Sequence, residues 1–265
     1  MSLVSGTILV TGATGGLGQA IVRAFAAHDA HLILTGRGSD VLDRLAAEVG
    51  GRAIGCDLSD RAQVERLSQE VRAAAVDVFV SNAGLPGAAP LTELTLEQVD
   101  RVLDVNLRSA VVLTHAVLPG MIERRRGHVV FMSSLQGRAP TVGAPTYIAT
   151  KFGLRGFSLA LREDLRNQHV GVSVVLPSFI SDAGLYADAG VRLPLGIRTP
   201  SPDDVAAAVL RAIEQNRAEV DVAPFLLRLG AKFAGLAPQT AAAVSRLMGS
   251  ERIAAEYSEG LRDKC

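Results

Sequence analysis

Short apolar runs alternate with longer amphipathic stretches along most of the chain. Each run is apolar at successive positions, which is typical of a strand buried on both faces of a parallel sheet. The longer stretches repeat apolar residues at helical spacing. We predict strands at residues 7–10, 31–35, 52–56, 76–81, 128–132, 171–176 and 219–222. We predict helices at residues 20–25, 41–49, 61–74, 96–121, 147–167 and 203–215, followed by helical patterns at 225–236 and 241–248.

This alternation of strand and helix predicts an α/β fold, a doubly wound parallel sheet with helices on both faces. The sequence has no domain-sized repeat and no low-complexity linker, so we expect residues 1–265 to form a single domain. Residues 178–200 contain several glycines and prolines and are predicted to form an irregular insertion that covers the substrate. Residues 224–265 are predicted to form a helical tail.

Composition narrows the class of protein. Apolar residues make up 48% of the chain and charged residues 20%, a balance typical of globular proteins and not of disordered ones. The 27 basic and 27 acidic residues leave no net charge, which argues against a nucleic-acid partner. The two cysteines do not make a disulfide framework, and the amino end does not resemble a signal peptide. We therefore expect a cytoplasmic protein.

Two further patterns argue against a membrane span and a metal site. No run of 18 uncharged apolar residues occurs, so we expect no membrane-spanning segment. The five histidines show no metal-ligand spacing with each other or with cysteine, so we expect no metal site. We expect these histidines to lie at the surface or at helix ends.

A glycine-rich turn separates the first predicted strand from the first helix. Glycines at this position let the backbone turn tightly and approach a pyrophosphate, and the following helix offers free N–H groups and the positive end of its dipole. The spacing is G-x-x-x-G-x-G rather than G-x-G-x-x-G. Its strand–turn–helix context favours a nucleotide site over an ordinary tight turn. The predicted cofactor-binding residues of this turn are Gly12, Thr14, Gly15, Gly16, Leu17 and Gly18.

The end of the second predicted strand bears on the choice of dinucleotide. An acidic residue there would bind the ribose 2′-hydroxyl of NAD, but the chain has Arg37. The planar guanidinium suits a 2′-phosphate, which favours NADP(H), although a solvated arginine is the ordinary alternative. Asp40 lies nearby and keeps NAD(H) open.

Polar and small residues also follow the third and fourth predicted strands. After the third strand, Asp57 could accept a hydrogen bond from the adenine amino group, with Leu58 beside it. After the fourth strand, Asn82, Ala83 and Gly84 could contact the adenosine ribose. Each group alone is typical of an ordinary turn. Together they lie at the carboxyl ends of the strands, where open α/β sheets bind ligands.

Tyr147 and Lys151 are four residues apart in a predicted helix, so their side chains share one face. Pro145 suits the start of that helix, which places Tyr147 in the first turn. A phenol that acts as acid and base near neutral pH needs its pKa lowered by roughly 3 units, or about 4 kcal/mol. We expect the Lys151 ammonium, the helix end and an oxidised nicotinamide together to supply this stabilisation.

Two other polar residues are candidates for the reacting site. Ser134 follows a buried strand, and its hydroxyl could bond a substrate oxygen beside the phenol. Asn106 falls inside a long helical pattern, where asparagine is unfavourable unless its amide has a role. A buried water chain from Lys151 to solvent would be such a role. Taken alone, Ser134 is better explained as a surface hydroxyl and Asn106 as a polar residue at a helix kink.

The chain resembles the short-chain dehydrogenase/reductase family in the order and approximate spacing of these residues. The shared pattern covers roughly residues 5–222 and is specific as a set. The resemblance implies a Rossmann-type fold, hydride exchange between a nicotinamide and a small-molecule carbonyl or alcohol, and a homodimer or homotetramer. The pattern consists of Thr11-Gly12-x3-Gly16-x-Gly18, Asn82-Ala83-Gly84, Asn106, Ser134 and Tyr147-x3-Lys151.

The same resemblance implies the role of each member of a catalytic tetrad. Tyr147 would exchange a proton with the substrate oxygen, Ser134 would orient the carbonyl, and Asn106 would anchor a proton-relay water. Lys151, like Tyr147, would also contact the cofactor, at the nicotinamide ribose. After the sixth strand the family pattern of Pro-Gly is replaced by Pro177-Ser178, and we expect Pro177 and Ile180 near the nicotinamide.

The apolar pattern at residues 225–236 leaves three interpretations open: a membrane-surface helix, a lid over an apolar substrate, or a helix that docks on the domain or on a partner. Docking is the simplest, so membrane contact is not expected. We predict an oxidoreductase that uses NADP(H), with NAD(H) open, to interconvert a secondary alcohol and a carbonyl, on a hydrophobic substrate. The alternative is a non-catalytic cofactor-binding protein that senses redox state or holds partners.

Overall fold

Seven parallel strands form one sheet in the computed structural model of this chain, in the order β3-β2-β1-β4-β5-β6-β7. The structure describes residues 2–38, 40–181, 199–247 and Gly260. All seven predicted strands are present, with ends that differ from the predictions by at most two residues. They are β1 (Thr7–Thr11), β2 (His31–Gly36), β3 (Arg52–Gly55), β4 (Val78–Ser81), β5 (Gly127–Met132), β6 (Val170–Pro177) and β7 (Glu219–Val222).

Helices cover both faces of the sheet, so the predicted doubly wound α/β fold is confirmed. Successive residues of β1 alternate between two cores: Ile8 and Val10 pack into one, and Leu9 into the other. The helices are α1 (Gly16–Ala26), α2 (Asp40–Val49), α3 (Arg61–Ala73), α4 (Leu96–Leu103), α5 (Ser109–Glu123), α6 (Pro145–Asp164), α7 (Pro202–Glu214), α8 (Phe225–Leu236) and α9 (Pro238–Leu247). Helices α1, α2 and α7 contribute to the first core, and α3, α5 and α6 to the second.

The order of the strands reverses at β1, which pairs with β2 on one side and with β4 on the other. The helices that follow β1 and β4 therefore lie on opposite faces and diverge from the carboxyl ends of these strands. Open α/β sheets bind their ligands in the crevice that this divergence leaves.

The predicted helix at residues 96–121 is interrupted. Helix α4 passes into a π-helical turn, Asp104–Arg108, before α5 continues to Glu123. The combined segment Leu96–Glu123 is long and apolar enough to cross a membrane, but half of its most apolar part is buried inside the protein. Core helices commonly have these properties, and this one carries a buried asparagine on its π-turn.

Two predicted segments fall partly outside the described residues. Of the predicted insertion at 178–200, residues 182–198 lie outside them. The helical tail predicted at 224–265 is described as α8 and α9 up to Leu247. Its remaining residues, apart from Gly260, are not described.

His128 is not at the surface, so the expectation for the histidines was wrong at this position. It lies on β5 with 1% of its surface exposed, and its Nε2 is 2.8 Å from the Ser173 hydroxyl. That hydroxyl donates to the carbonyl of Arg217, so it accepts from Nε2–H of a neutral imidazole. Burial, together with the charge of Arg162, lowers the pKa of His128 to about 3.

We predict that this imidazole makes the protein less stable in mild acid. Below its ordinary pKa the unfolded histidine takes up a proton that the folded one refuses, so the free energy of unfolding falls as pH falls. Between about pH 7.5 and about pH 5.5 the loss due to His128 should be about 1.4 kcal/mol. Urea unfolding of the wild type and of His128→Gln at both pH values measures it. Equal pH dependence in the two proteins would contradict the prediction.

Candidate active site

The glycine turn predicted between the first strand and the first helix joins β1 to α1 and has little room for side chains. Gly12 has a φ of +64°, and a Cβ on it would lie 2.8 Å from the Cα of Ala83. A Cβ on Gly18 would collide with the carbonyl oxygen of Gly12. Both glycines are therefore required by close backbone approach, between β1 and β4 and between the turn and α1.

The remaining residues of the glycine turn lead into the first turn of α1. Gly15 is the N-cap, Gly16 begins the helix, and no side chain caps it. Leu17 is partly buried against the first core. The side chain of Thr14 faces Gly36 at the end of β2. A Cβ on Gly36 would lie 3.2 Å from the Thr14 Oγ1. The first N–H groups of α1 thus face the crevice without a side-chain acceptor, as a pyrophosphate site requires.

Asn82 ties the end of β4 to the end of β1. Its Nδ2 donates to the carbonyls of Thr11 and Gly12, each at 3.1 Å. The Thr11 hydroxyl accepts from the backbone N–H of Asn82 at 3.1 Å and of Ala83 at 3.2 Å. The amide predicted to contact adenosine is therefore bonded to the glycine turn, while Gly84 beyond it is exposed.

Arg37 and Asp57 lie near each other at the edge of the crevice. Arg37 is exposed directly after β2. Burial raises the pKa of Asp57, but hydrogen bonds from Ser59 and the charges of Arg101 and Arg37 outweigh it, so the net shift is downward. Asp57 is thus a carboxylate, with Oδ1 accepting from the Ser59 N–H and hydroxyl. Leu58 is buried in the second core.

Tyr147 and Lys151 share one face of α6, as their spacing predicts. Helix α6 begins at Pro145, so Tyr147 is in its first turn. The Nζ of Lys151 lies 5.4 Å from the centre of the Tyr147 ring and donates to the carbonyl of Met132, at the end of β5, at 2.8 Å. Both residues are buried, with 8% and 4% of their surface exposed. Strand β5 therefore positions the ammonium beside the phenol.

The expectation of a lowered tyrosine pKa includes an oxidised nicotinamide and remains a prediction for the complex, whereas in the chain by itself the shift is upward. Burial raises the pKa of Tyr147 to about 12, against a smaller opposing effect of its hydrogen bond with Ser134. Burial also lowers the pKa of Lys151 to about 8. The loss of hydration thus outweighs the favourable arrangement of the two groups, and both are shifted towards their neutral forms.

Ser134 lies at the end of β5, where a short 3-10 turn, Leu135–Gly137, begins. Its hydroxyl accepts from the backbone N–H of Gln136 at 3.1 Å and is hydrogen-bonded with Tyr147. The side chain is partly exposed, unlike those of Tyr147 and Lys151. A serine hydroxyl and a phenol therefore meet at the edge of the crevice, where an incoming oxygen can reach both.

The π-turn between α4 and α5 carries Asn106, which is 1% exposed. Its amide bonds both backbone groups of Leu85, accepting from the N–H at 2.7 Å and donating to the carbonyl at 2.9 Å. It also donates to the Thr150 hydroxyl at 3.2 Å, which itself donates to the carbonyl of Tyr147. Asn106 thus links the loop after β4 to the face of α6 that carries Tyr147, and single π-turns frequently occur at functional sites.

Pro177 and Ile180 lie at the carboxyl end of β6, beside the end of β5. Pro177 is the last residue of the strand, and Ile180 is 4% exposed within the first core. The Ser178 N–H and hydroxyl both bond the carbonyl of Val222 on β7. Since the side chain of Ile180 is packed into the core, its backbone is the part that can face the crevice.

A comparison with protein families identifies the chain. The model of the short chain dehydrogenase family matches residues 6–189. The chain belongs to this family. It is an NAD(P)-dependent oxidoreductase, and the predicted resemblance is confirmed.

Individual members of the short-chain dehydrogenase family are moderately similar. The chain is 32% identical over 228 residues to the ketoacyl reductase HetN of a Nostoc species, which covers 83% of this chain and 79% of the relative. It is 37% identical over 214 residues to the NADP-dependent 3-hydroxy acid dehydrogenase YdfG of Escherichia coli. This match covers 76% of this chain and 86% of the relative. Among solved structures, a short-chain dehydrogenase from Sphingobium yanoikuyae in complex with NADPH matches with a TM-score of 0.78 and 25% sequence identity. The match covers 92% of this chain and 95% of that chain.

The residues of this short-chain dehydrogenase fit a dinucleotide. The turn excludes side chains where a pyrophosphate would lie, and the start of α1 lacks a side-chain cap. A Cβ on Gly84 would lie 3.5 Å from Lys151 Nζ and 3.7 Å from Asn106 Oδ1, so glycine keeps this part of the crevice open. No group of three metal-ligating side chains occurs within the described ranges.

Sequence reasoning assigned no role to three groups that organise the site. The Thr11 hydroxyl joins β1 to β4, the Thr150 hydroxyl joins Asn106 to α6, and the Met132 carbonyl holds Lys151. Thr11 is part of the family pattern and Thr150 stands directly before Lys151, and these positions are the signal that could have pointed to them. The Met132 contact uses a backbone oxygen, which every residue has, so the sequence does not indicate it.

We predict that Gly12→Ala damages both fold and cofactor binding. Its positive φ and its contact with the Ala83 backbone should lower the free energy of unfolding by at least about 1 to 2 kcal/mol. Gly15→Ala is the matched control for stability, because a Cβ there meets only the Gly12 carbonyl at 3.5 Å. Urea unfolding and calorimetric titration with NADPH test this. Gly12→Ala with the stability and affinity of the wild type would contradict it.

Proposed function

We propose that the protein interconverts a secondary alcohol and a carbonyl, with NADP(H) as its preferred cofactor and a hydrophobic compound as its substrate. The observation that carries the proposal is the buried Tyr147–Lys151 pair, with a partly exposed serine hydroxyl bonded to the phenol. Hydride exchange with the carbonyl carbon is the chemistry that a nicotinamide supplies when it is bound. The chain supplies the proton and orients the substrate.

Tyr147 is the general acid of carbonyl reduction and the general base of alcohol oxidation. In reduction its hydroxyl donates a proton to the substrate oxygen, and in oxidation the phenolate accepts one. Burial keeps the phenol protonated in the chain alone, with a pKa of about 12. Positive charge introduced beside it, including a charged Lys151 and an oxidised cofactor, acts in this water-poor site with little screening and favours the phenolate.

The other three residues of the tetrad orient the substrate and the cofactor and support the proton path. Ser134 donates a hydrogen bond to the substrate oxygen and holds it beside the phenol. Lys151 has three ammonium donors, of which one is committed to the Met132 carbonyl, so the others can bind a ribose hydroxyl. Asn106 fixes the backbone of Leu85 and anchors the path by which protons reach Lys151.

The preference for NADP(H) rests on Arg37. Its guanidinium is exposed at the end of β2, where no acidic side chain occupies the position that would bind a ribose 2′-hydroxyl. Arg37 and Arg101 both act on the Asp57 carboxylate, so two cations and one anion lie near this end of the crevice. The planar guanidinium of Arg37 could bind a 2′-phosphate, which supports NADP(H) over NAD(H).

The proposal extends to the setting of the enzyme. The family resemblance favours a homodimer or homotetramer, and the balanced charge argues against a nucleic-acid partner. The sparse cysteines, of which Cys56 is buried and unpaired, suit a reducing cytoplasm. A non-catalytic redox sensor would not need four residues of an acid–base and positioning set together, so we favour the enzyme.

We predict that Tyr147→Phe lowers kcat by about 10²- to 10⁴-fold while NADPH still binds, because only the proton transfer is lost. Thr114→Val is the matched control, since it removes a buried hydroxyl on α5 that bonds only the Ala110 carbonyl. Steady-state turnover across a panel of apolar ketones, together with titration of NADPH, measures both effects. Full turnover in Tyr147→Phe would refute the acid–base role.

We predict that Arg37→Ala lowers the preference for NADPH over NADH by about tenfold or more, because a charge-assisted hydrogen bond to the 2′-phosphate is lost. Arg44→Ala is the control: Arg44 is an exposed arginine on α2 that bonds the Asp40 carbonyl. The ratio of kcat/KM for the two cofactors measures the change. An unaltered ratio in Arg37→Ala would leave Arg37 as a solvated surface residue.

A further inference from the structure

Helix α8 carries large apolar side chains on its exposed face. Its exposed fractions are 71% for Phe225, 78% for Leu226, 55% for Leu229, 50% for Phe233 and 87% for Leu236. At helical spacing these five residues fall within an arc of about 100° and form one continuous stripe. We call this set the apolar stripe.

The opposite face of α8 holds the helix on the protein with small residues. Ala231 and Ala234 are the buried residues of α8. Gly235 approaches the carbonyl of Arg138, which a Cβ would meet at 3.6 Å. A helix that serves only to cover its own domain buries its large apolar side chains and exposes small or polar ones. Helix α8 does the reverse, so the simple docking interpretation of the sequence does not explain the apolar stripe.

An ion-pair network lies beneath α8 and reaches the helix at Arg228. Arg138, which is buried, pairs with Glu219 at 2.9 Å and with Asp221 at 3.2 Å, both on β7. Asp221 also pairs with Arg228 on α8 at 3.9 Å. The stripe faces outward in the folded protein, and a partner can bind it without detaching the helix.

Charge around the apolar stripe distinguishes the candidate partners. The segment 222–250 contains Arg228, Lys232 and Arg246 and no acidic residue, although the whole chain has equal numbers of acids and bases. Arg228 and Lys232 are exposed along one flank of the stripe. A second copy placed symmetrically on it would bring like charges together without acids of the segment to offset them. An anionic lipid surface would satisfy both the apolar and the basic side chains.

We propose that α8 lies on the surface of an anionic phospholipid bilayer, with the apolar stripe inserted at the headgroup boundary and Arg228 and Lys232 against lipid phosphates. Exposed apolar residues flanked by basic ones are the features that hold an amphipathic helix in the plane of a bilayer. The proposal concerns a preformed contact of the folded protein and does not depend on the reaction assigned above.

Vesicle flotation of the full chain tests the proposal. We expect flotation with vesicles of phosphatidylcholine and phosphatidylglycerol, and much weaker flotation with phosphatidylcholine alone. The double variant Phe225→Ser/Leu229→Ser should abolish flotation. The matched control is Leu91→Ser/Leu96→Ser, which removes two leucines that are 59% and 79% exposed elsewhere, and it should float like the wild type.

The charge requirement is tested separately with Lys232→Glu. Reversing one exposed charge should lower the partition coefficient by about 25-fold on anionic vesicles, at about fivefold per unit of charge. Circular dichroism of each variant establishes that it is folded. Equal flotation on neutral and anionic vesicles, or an unchanged partition coefficient in Lys232→Glu, would overturn the proposal.

Light scattering tests whether a second copy of this chain, rather than a bilayer, covers the apolar stripe. If the wild type does not float and the Phe225→Ser/Leu229→Ser variant loses an oligomer that the wild type forms, the apolar stripe is an interface between copies of this chain and the proposal fails. If the wild type floats and both proteins have the same oligomeric state, the proposal stands.

Discussion

The close contact between the ends of β1 and β4 is the constraint on which the rest of the site depends. At this point the helices diverge to opposite faces, and the two strand ends would expose unpaired backbone groups. The Thr11 hydroxyl and the Asn82 amide satisfy these groups, and Gly12 permits the approach because it has no Cβ. The crevice that results has walls made largely of backbone, which is the surface a dinucleotide pyrophosphate can approach.

The reacting pair is governed by burial more than by charge. Tyr147 and Lys151 lie close together, yet each has its pKa shifted towards the neutral form, to about 12 and about 8. At neutral pH the phenol is therefore protonated, whereas Lys151 is still mainly an ammonium. The burial that produces this state also limits screening, so a charge introduced by a ligand acts strongly on both groups. The positive ring of an oxidised nicotinamide, if bound beside Tyr147, would therefore favour ionisation of the phenol through the same dry environment.

The sequence predicted the fold more completely than it predicted the chemistry. Strands apolar on both faces and helical periodicity determine the sheet, and the family pattern identifies the candidate tetrad. Periodicity cannot detect the π-turn at Asn106, since one extra residue in a turn barely alters the average spacing. The residue types also do not indicate that the Met132 carbonyl accepts a hydrogen bond from Lys151, or that His128 is buried against Ser173. The spacing of Tyr147 and Lys151 also does not reveal how deeply the two side chains are buried, which in the chain alone raises the pKa of the phenol.

Helix α8 shows why an amphipathic pattern needs a structure to assign its faces. A docking helix and a surface-binding helix have the same periodicity, and the difference lies in which side chains meet the protein. Here Ala231 and Ala234 do, and the apolar stripe is left outside. Helix α8 also contacts the turn Leu135–Gly137, which directly follows Ser134. The packed face of α8 therefore lies beside the segment that follows Ser134, while the apolar stripe on its other face is left for a partner.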